Sequence, residues 1–335
     1  MKSDTIHNFF GPPGKIFPLK LMQVLHGSKV LIPLYHAVSN VPLPHLKHLY
    51  HVNSPENFEK DIKFLVQYFQ PATLEEVYQV ITGRLKPKNT LFHLTFDDGL
   101  KEFKSYALPI LEKYNLQATL FVNYRFTENT TFLNKLKNSI LIDKLRETPE
   151  LPVLKELSKI TGTVNKKSIK HYIGRQQFDE ITLNELAGIL DVNFSRYFDL
   201  NPPYLTLEEL KELPPAHVQI GSHGAAHPDY SKLSTEEQMA DFREGLKIFN
   251  HFTEQKIKAF AFPFSDLGVK KEFFRMIKNE IDITFGTSGL KEDEIPFHVQ
   301  RIAADGSKQK LSVATRGEYL YGIIRKFLNR NKRIH

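Results

Sequence analysis

Apolar runs that stop at polar or turn-forming residues recur along the chain and predict the strands of a parallel sheet. The clearest run covers residues 91–96 and ends abruptly in Asp97, Asp98 and Gly99. Near-continuous apolar runs of this length are typical of strands that are buried on both faces. Similar runs cover residues 29–35, 118–122, 217–221 and 257–262, and weaker ones cover residues 281–285 and 297–302.

Between these runs, polar capping residues precede amphipathic patterns and predict helices. Ser54 stands directly before Pro55, and capping boxes pair Thr73 with Glu76, Thr206 with Glu209 and Ser234 with Glu237. Seven or so strands that alternate with helices, without a hairpin signal, predict a barrel-like parallel α/β fold.

Residues 127–203 interrupt this alternation. They carry helical patterns, including a Thr182/Glu185 capping box, but no convincing core strand. We therefore predict a helical subdomain that is inserted into the barrel. The predicted division is residues 1–126 and 204–310 for the two parts of the barrel, 127–203 for the insertion, and 311–335 for a basic amphipathic helix and tail.

The composition limits which covalent cross-links and metal ligands are possible. The 335 residues include no cysteine, which excludes disulfides and thiolate metal ligands, so any metal must be bound by His, Asp or Glu. The N-terminal residues lack the pattern of a signal peptide, and no apolar stretch reaches the ~18 residues of a membrane span. We expect a cytoplasmic protein.

The net charge of +7 is carried by the C-terminal part of the chain. Residues 301–335 hold nine Lys or Arg and two acids, so residues 1–300 are neutral overall. A predicted helix there has one apolar stripe with basic neighbours: Tyr319, Leu320, Ile323, Ile324, Phe327 and Leu328, beside Arg325, Lys326 and Arg330. This helix either makes peripheral contact with an anionic membrane or packs on the barrel with a solvated basic edge. No nucleic-acid motif accompanies it, so we expect no nucleic-acid partner.

Two stretches carry the candidate chemistry. Asp97 and Asp98 follow a predicted core strand, although an Asp-rich turn is the favoured explanation when they are considered alone. His223 and His227 are four residues apart after another predicted strand, a spacing that can hold one metal ion. The carboxyl ends of barrel strands share one rim. Two imidazoles and a carboxylate there form a zinc-type site, and a second carboxylate can take a proton from water. The spacing does not decide which acid binds the metal, or whether both do.

The sequence resembles the polysaccharide deacetylases, also called the NodB-homology or carbohydrate esterase family four group. Residues 95–99 (TFDDG) resemble the first motif of that family, residues 222–228 (SHGAAHP) the second, and residues 261–264 (AFPF) the third. The resemblance implies a distorted (β/α)-type barrel, of which the strand count suggests seven units. It also implies that Asp97 is the general base and that Asp98, His223 and His227 bind the metal.

Several positions depart from the family pattern. The late Leu-x-x-His motif that supplies the general acid is not evident, and His298 lies in a context that does not fit it. The stretch Tyr35-His36-Ala37-Val38 instead resembles the circularly permuted poly-N-acetylglucosamine deacetylases of biofilm systems, in which an early Tyr-His supplies the acid. His36 is therefore the predicted general acid. Arg301 either replaces the missing arginine of the third motif and orients Asp97, or is a plain surface charge.

The predicted function is metal-dependent removal of N-acetyl groups from an amino-sugar glycan or a lipid-linked or nucleotide-linked precursor. The resemblance implies Zn²⁺, or another divalent cation such as Co²⁺ or Ni²⁺. Two alternatives stay open. One is a catalytically silent carbohydrate-binding relative, and the other is a metal hydrolase that acts on an amide outside sugars.

Overall fold

Short parallel strands form one sheet at the centre of the molecule. The computed structural model describes residues 3–147, 150–175, 178–305, 309–328 and 331–335. The central strands are β1 Pro33–Tyr35, β2 Leu94–Phe96, β3 Ala118–Val122, β4 Val218–Ser222, β5 Ala259–Ala261, β6 Ile283–Gly286, β7 His298–Gln300 and β8 Ile302–Ala303. All neighbours are parallel, in the order β7-β6-β5-β4-β3-β2-β1-β8.

The sheet closes through Arg301, the single residue between β7 and β8. The Arg301 N–H donates to the carbonyl of Gly286 on β6 over 3.2 Å, and the Ile302 N–H donates to the carbonyl of Ile32, just before β1, over 2.9 Å. One continuous stretch therefore joins the two open edges of the sheet. With β7 and β8 counted as this one stretch, seven strand positions surround the core, which confirms the predicted (β/α)7-type barrel.

Helices cover the outside of the barrel and fill the insertion. The described helices are α1 Ser3–Gly14, α2 Leu19–His26, α3 Pro55–Tyr68, α4 Leu74–Ile81, α5 Leu108–Lys113, α6 Asn134–Glu147, α7 Leu151–Thr161, α8 Lys166–Arg175, α9 Glu180–Ile189, α10 Phe194–Leu200, α11 Leu207–Lys211, α12 Thr235–Gly245, α13 Lys271–Ile277 and α14 Leu311–Phe327. Two small parallel sheets lie outside the barrel. One joins Val30–Leu31, Leu91–Phe92 and Gln70–Pro71, and the other joins Glu292–Asp293 and Lys332–Arg333.

The predicted caps form at four helices. Ser54 caps α3, and the three capping boxes at Thr73, Thr206 and Ser234 are complete. Side-chain oxygens at these positions satisfy N–H groups that the first helical turn leaves without partners. The local sequence therefore fixes where the outer helices begin.

The insertion is helical, with one corrected helix start. Among its described residues, 127–147, 150–175 and 178–203, it forms α6–α10 without a strand. Its buried apolar side chains form one cluster with residues outside the insertion, among them Leu43, Leu46 and Leu100. The Thr182/Glu185 pattern predicts a helix start at Thr182, which is wrong. Asp179 is the cap of α9, since its carboxylate accepts the Thr182 N–H over 2.8 Å. The exact division of the chain at 126, 203 and 310 stays a prediction.

The C-terminal helix α14 packs against α1 and α2. Tyr319 and Ile323 of its apolar stripe are buried, while Phe327 is 81% exposed. A side chain at Gly317 would overlap the backbone of Gly11, so α1 and α14 pack at close range. The first half of the predicted stripe is therefore a packing surface, whereas Ile324, Phe327 and Leu328 at its end are exposed. None of the helices in the described ranges is long and apolar enough to cross a membrane.

Candidate active site

Three polar segments meet at the carboxyl rim of the barrel. Asp97 follows β2, His223 follows β4 and His36 follows β1. Tyr35 of β1 pairs with Phe96 of β2, and the Asp97 N–H donates to the Tyr35 carbonyl over 2.9 Å, so His36 and Asp97 leave adjacent strands side by side. The expectation that these residues share one rim is met.

Asp98, His223 and His227 form a buried cluster. Their nearest ligand-type atoms all lie within 4.8 Å of one another. Asp98 Oδ1 is 3.2 Å from His227 Nε2 and 3.6 Å from His223 Nε2. This buried oxygen accepts no hydrogen bond from the described residues. A buried oxygen without a donor is costly unless a cation or water compensates it. A divalent metal ion fits this donor set of one carboxylate and two imidazoles.

Two of the three residues in the cluster, Asp98 and His227, have an unusual backbone geometry. Asp98 has φ 73° and His227 has φ 56°, in the left-handed region that residues other than glycine rarely adopt. The His223 Nδ1–H donates to the Ala261 carbonyl over 2.8 Å, which leaves Nε2 with its lone pair toward Asp98. Burial, against the attraction of Asp97, lowers the pKa of His223 to about 4. His223 is therefore neutral at pH 7, the form in which imidazole binds metals.

Asp97 is held by Arg301. Arg301 is completely buried and donates from Nη1 to Asp97 Oδ1 over 2.7 Å and from Nη2 to Oδ2 over 2.9 Å. Its Nε donates to the Gly286 carbonyl over 3.1 Å, and its guanidinium lies 5.4 Å from the centre of the Phe121 ring. Burial favours a raised pKa for Asp97, but Arg301 and then His223 outweigh it and lower the pKa. Arg301 is thus not a surface charge.

His36 is oriented by Asp305. The backbone N–H of His36 donates to Asp305 Oδ2 over 2.6 Å, and the imidazole Nδ1 of His36 lies 3.1 Å from the same oxygen. The Tyr50 ring stacks on the imidazole, with ring centres 4.2 Å apart. Burial favours a lower pKa for His36, but Asp305, followed by Asp98 and Asp97, raises it to about 9. His36 is therefore a cation with Nε2 directed away from its carboxylate partner.

The sequence analysis missed Asp305 and Tyr50. Asp305 follows β8 at the same rim, so a carboxylate three residues after the last predicted strand could have indicated it. Tyr50 lies between β1 and α3, where no pattern connects it with His36. Its hydroxyl is buried and has no hydrogen-bond partner in the described part of the chain.

Comparison with known families agrees with this geometry. A sequence model of the family described as polysaccharide deacetylase matches residues 84–285, which is more than half of the chain. The chain belongs to the polysaccharide deacetylase family. The three motifs that carry the resemblance lie within the matched segment.

The individual relatives have low sequence identity to this chain. The Bacillus subtilis (strain 168) protein YxkH is 29% identical over 99 residues, which are 28% of this chain and 32% of that protein, so the match spans about a third of its length. Among solved structures, the Streptococcus pyogenes deacetylase PplD in complex with acetate has a TM-score of 0.53 at 17% identity, covering 91% of this chain and 99% of PplD. IcaB from Ammonifex degensii has a TM-score of 0.51 at 14% identity, covering 88% and 97%. Both structures share the fold.

His298, the other histidine considered as the acid, lies on the opposite face of its strand from Arg301. It joins a second, partly buried group with Asp266, Asp293 and His335. Gln300 Nε2 donates to both carboxylates of that group, over 2.9 Å and 2.8 Å. Because every member has a hydrogen-bond partner, we assign this group to packing rather than to catalysis.

Proposed function

We propose that this chain is a metal-dependent hydrolase that removes N-acetyl groups from an amino-sugar glycan or a glycan precursor. The observation that carries the proposal is the meeting of a metal-type donor set, an ionised carboxylate and a cationic imidazole at one barrel rim. Family membership supports the acetylated glycan as substrate. Each of the three groups has a distinct role in the reaction.

Asp98, His223 and His227 would hold a divalent ion, Zn²⁺ or a substitute such as Co²⁺ or Ni²⁺. When bound, such an ion supplies a Lewis acid for the acetyl carbonyl and makes a water molecule more acidic. One carboxylate and two imidazoles make three protein ligands, the number with which catalytic zinc sites keep a further position for water.

Asp97 is the proposed general base. It lies next to the ligand Asp98, and its Oδ2 is 3.7 Å from His223 Nε2, so it borders the position where an attacking water would lie. Arg301 fixes both carboxylate oxygens and keeps Asp97 ionised, so that it can accept a proton. The bidentate contact also limits rotation of the carboxylate.

His36 is the proposed general acid. An amine leaves the tetrahedral intermediate only after its nitrogen is protonated, so a proton donor must lie near Asp97 at the same rim. His36 meets this requirement because it follows the strand adjacent to that of Asp97 and because Asp305 stabilises its protonated form. Tyr50 restricts the ring to one orientation.

Acetate release tests the proposal. The purified protein, supplied with Zn²⁺, should release acetate from at least one member of a panel of N-acetylated sugars, oligomers and lipid-linked precursors. Asp97→Asn should abolish release while the bound metal stays, because a base is lost and a ligand is kept. Asp199→Asn, the same change at an exposed position of α10, is the control and should retain activity. A full panel without acetate release would favour the silent carbohydrate-binding alternative.

We also propose that the substrate is approached at an anionic membrane surface. Helices α1 and α2 lie beside α14, since Arg316 Nη1 donates to the Phe17 carbonyl and Lys326 Nζ donates to the His26 carbonyl, each over 2.9 Å. Residues 5–29 and 319–335 contain no acid, and their exposed apolar side chains include Phe9, Ile16, Val24 and Phe327. Basic residues beside exposed apolar ones favour anionic lipid.

Liposome co-sedimentation tests this surface. Lys15→Glu with Lys20→Glu should reduce binding to vesicles that contain anionic lipid, because each basic residue near such a surface contributes about 1 kcal/mol. Lys167→Glu with Lys170→Glu on α8 makes the same charge change away from the surface and is the control. Equal binding of wild type and both double variants would contradict the proposal.

A further inference from the structure

A cavity of about 340 Å³ lies between the metal-type cluster and the helical insertion. The barrel side supplies His227 and Phe264, and the insertion side supplies Phe132 and Lys135 from the segment that starts α6. Small-molecule sites have volumes of about 300–1,000 Å³, so the cavity can hold one sugar unit. A larger cavity, of about 550 Å³, is lined by Gln117 and Ile257, which precede β3 and β5, and so opens at the opposite rim.

Two strained residues form the barrel side of the cavity. His227 and Phe264 both have φ 56°, and their rings meet edge to face with centres 4.5 Å apart. The other non-glycine residues with positive φ in the described ranges are Asn or Asp, which tolerate this conformation. Backbone strain of this kind is concentrated at functional sites. Phe264 is 42% exposed, so its ring presents a flat apolar surface to the cavity.

Lys135 gives the insertion side its charge. It is half-buried, and it makes no ion pair with a carboxylate in the described part of the chain. Its Nζ has only a long contact, 3.4 Å, to the Gly174 carbonyl. By contrast, Lys137, two positions further along the helix, binds Glu180 over 2.7 Å. Burial, together with the nearby positive charge of Lys232, lowers the pKa of Lys135. A desolvated ammonium without an anion is unfavourable, and an anionic ligand would remove that cost.

We propose that this cavity is a subsite for an anionic group, phosphate or carboxylate, attached to the N-acetylated sugar, and that Lys135 binds that group. This inference rests on the proposed deacetylase function and narrows its substrate to acidic glycans or phosphate-linked sugars. The acetamido group reaches the metal-type cluster through His227, the sugar ring lies against Phe264, and the anionic substituent points to α6. The helical insertion thereby selects the substrate.

Calorimetric titration tests the subsite without requiring turnover. N-acetylglucosamine 1-phosphate should bind the full-length wild type more tightly than N-acetylglucosamine by about ten- to a hundredfold, the range of a charge-assisted hydrogen bond. An N-acetylglucosamine disaccharide with a uronic acid replaces phosphate by carboxylate and identifies which anion is preferred. Lys135→Gln should abolish the preference, and Lys135→Arg should retain most of it. Lys167→Gln on α8 removes the same charge at an exposed position and should leave the preference unchanged.

The outcomes separate this inference from the proposed function. Equal binding of the neutral and phosphorylated sugars to wild type, or a preference that survives in Lys135→Gln, would overturn the subsite even if acetate is released. Absence of acetate release together with a Lys135-dependent preference would overturn the deacetylase function and leave the anion site in place.

Discussion

Replacing Arg301 should destabilise the protein far more than replacing an arginine on its surface. Arg301→Met removes two hydrogen bonds to Asp97, one to the Gly286 carbonyl and a longer one, of 3.4 Å, to the Thr95 hydroxyl oxygen, all in a fully buried position. The carboxylate of Asp97 is then left buried without its cation. Breaking a buried ion pair in this way costs about 3–5 kcal/mol, whereas a surface pair contributes about 0–1 kcal/mol.

The expected change in melting temperature, Tm, follows from this free energy and the unfolding entropy, which increases with chain length. At about 2.1 cal/mol/K per residue, unfolding of the 335 residues has an entropy of about 0.7 kcal/mol/K. A loss of about 3–5 kcal/mol therefore lowers Tm by about 4–7 °C. Arg243 provides the control, since it contacts Glu280 through two nitrogens at an exposed site, and Arg243→Met should lower Tm by less than about 1.5 °C.

A double variant tests the cause of the loss. Arg301→Met combined with Asp97→Leu removes both charges and fills their space with apolar atoms, so most of the lost stability should return. Thermal and urea unfolding of both single variants and the double variant measure the coupling between the two positions. The reasoning is wrong if Arg301→Met loses less than about 1 kcal/mol, or if the double variant is less stable than Arg301→Met.

Three further predictions concern individual side chains. Elemental analysis should detect one divalent metal ion per chain in wild type and much less in His223→Ala, and an active wild type without metal would refute the site. His36→Ala should lower amide turnover by about 10²–10⁴-fold and lower hydrolysis of an activated ester less, because an ester leaving group needs no proton; if His298→Ala is the inactive variant instead, the acid is misassigned. Burial raises the pKa of Glu102 from about 4.5 to about 7, so the stability present below pH 4.5 is lost as the pH rises through 7. Glu102→Gln should therefore raise the free energy of unfolding by about 1–3 kcal/mol at pH 8 and leave it unchanged at pH 4, and equal effects at both pH values would contradict this assignment.

Local patterns predicted the parts of the fold that depend on neighbours in sequence. The apolar runs before Asp97 and His223 became strands, because continuous burial leaves little choice between structures for such runs. The start of α9 was misplaced because both Thr182 and Asp179 are good caps, and only packing of the helix decides between them.

The parts of the site that depend on contacts between residues distant in sequence could not be predicted from local patterns. Arg301 was equally compatible with a surface position, since nothing near it in sequence indicates that its side chain points into the barrel. The pairing of His36 with Asp305 joins residues 269 positions apart and depends on closure of the sheet. The stripe on α14 was read correctly as apolar, but only the positions of α1 and α2 show that its first turns are covered.

Because Arg301 lies in the stretch that closes the barrel, the proposed hydrolytic activity should be acquired late in folding. Its contact with Asp97 spans 204 residues, so this pair forms only after the first and last strands have met. Contacts between residues so distant in sequence form slowly, because a long loop must be closed first. A partly folded chain can contain Asp98, His223 and His227 in place, yet its Asp97 lacks the guanidinium that keeps it ionised. Hydrolytic activity during refolding should therefore appear in the slowest phase, together with the last gain of stability, and would report closure of the ring in real time.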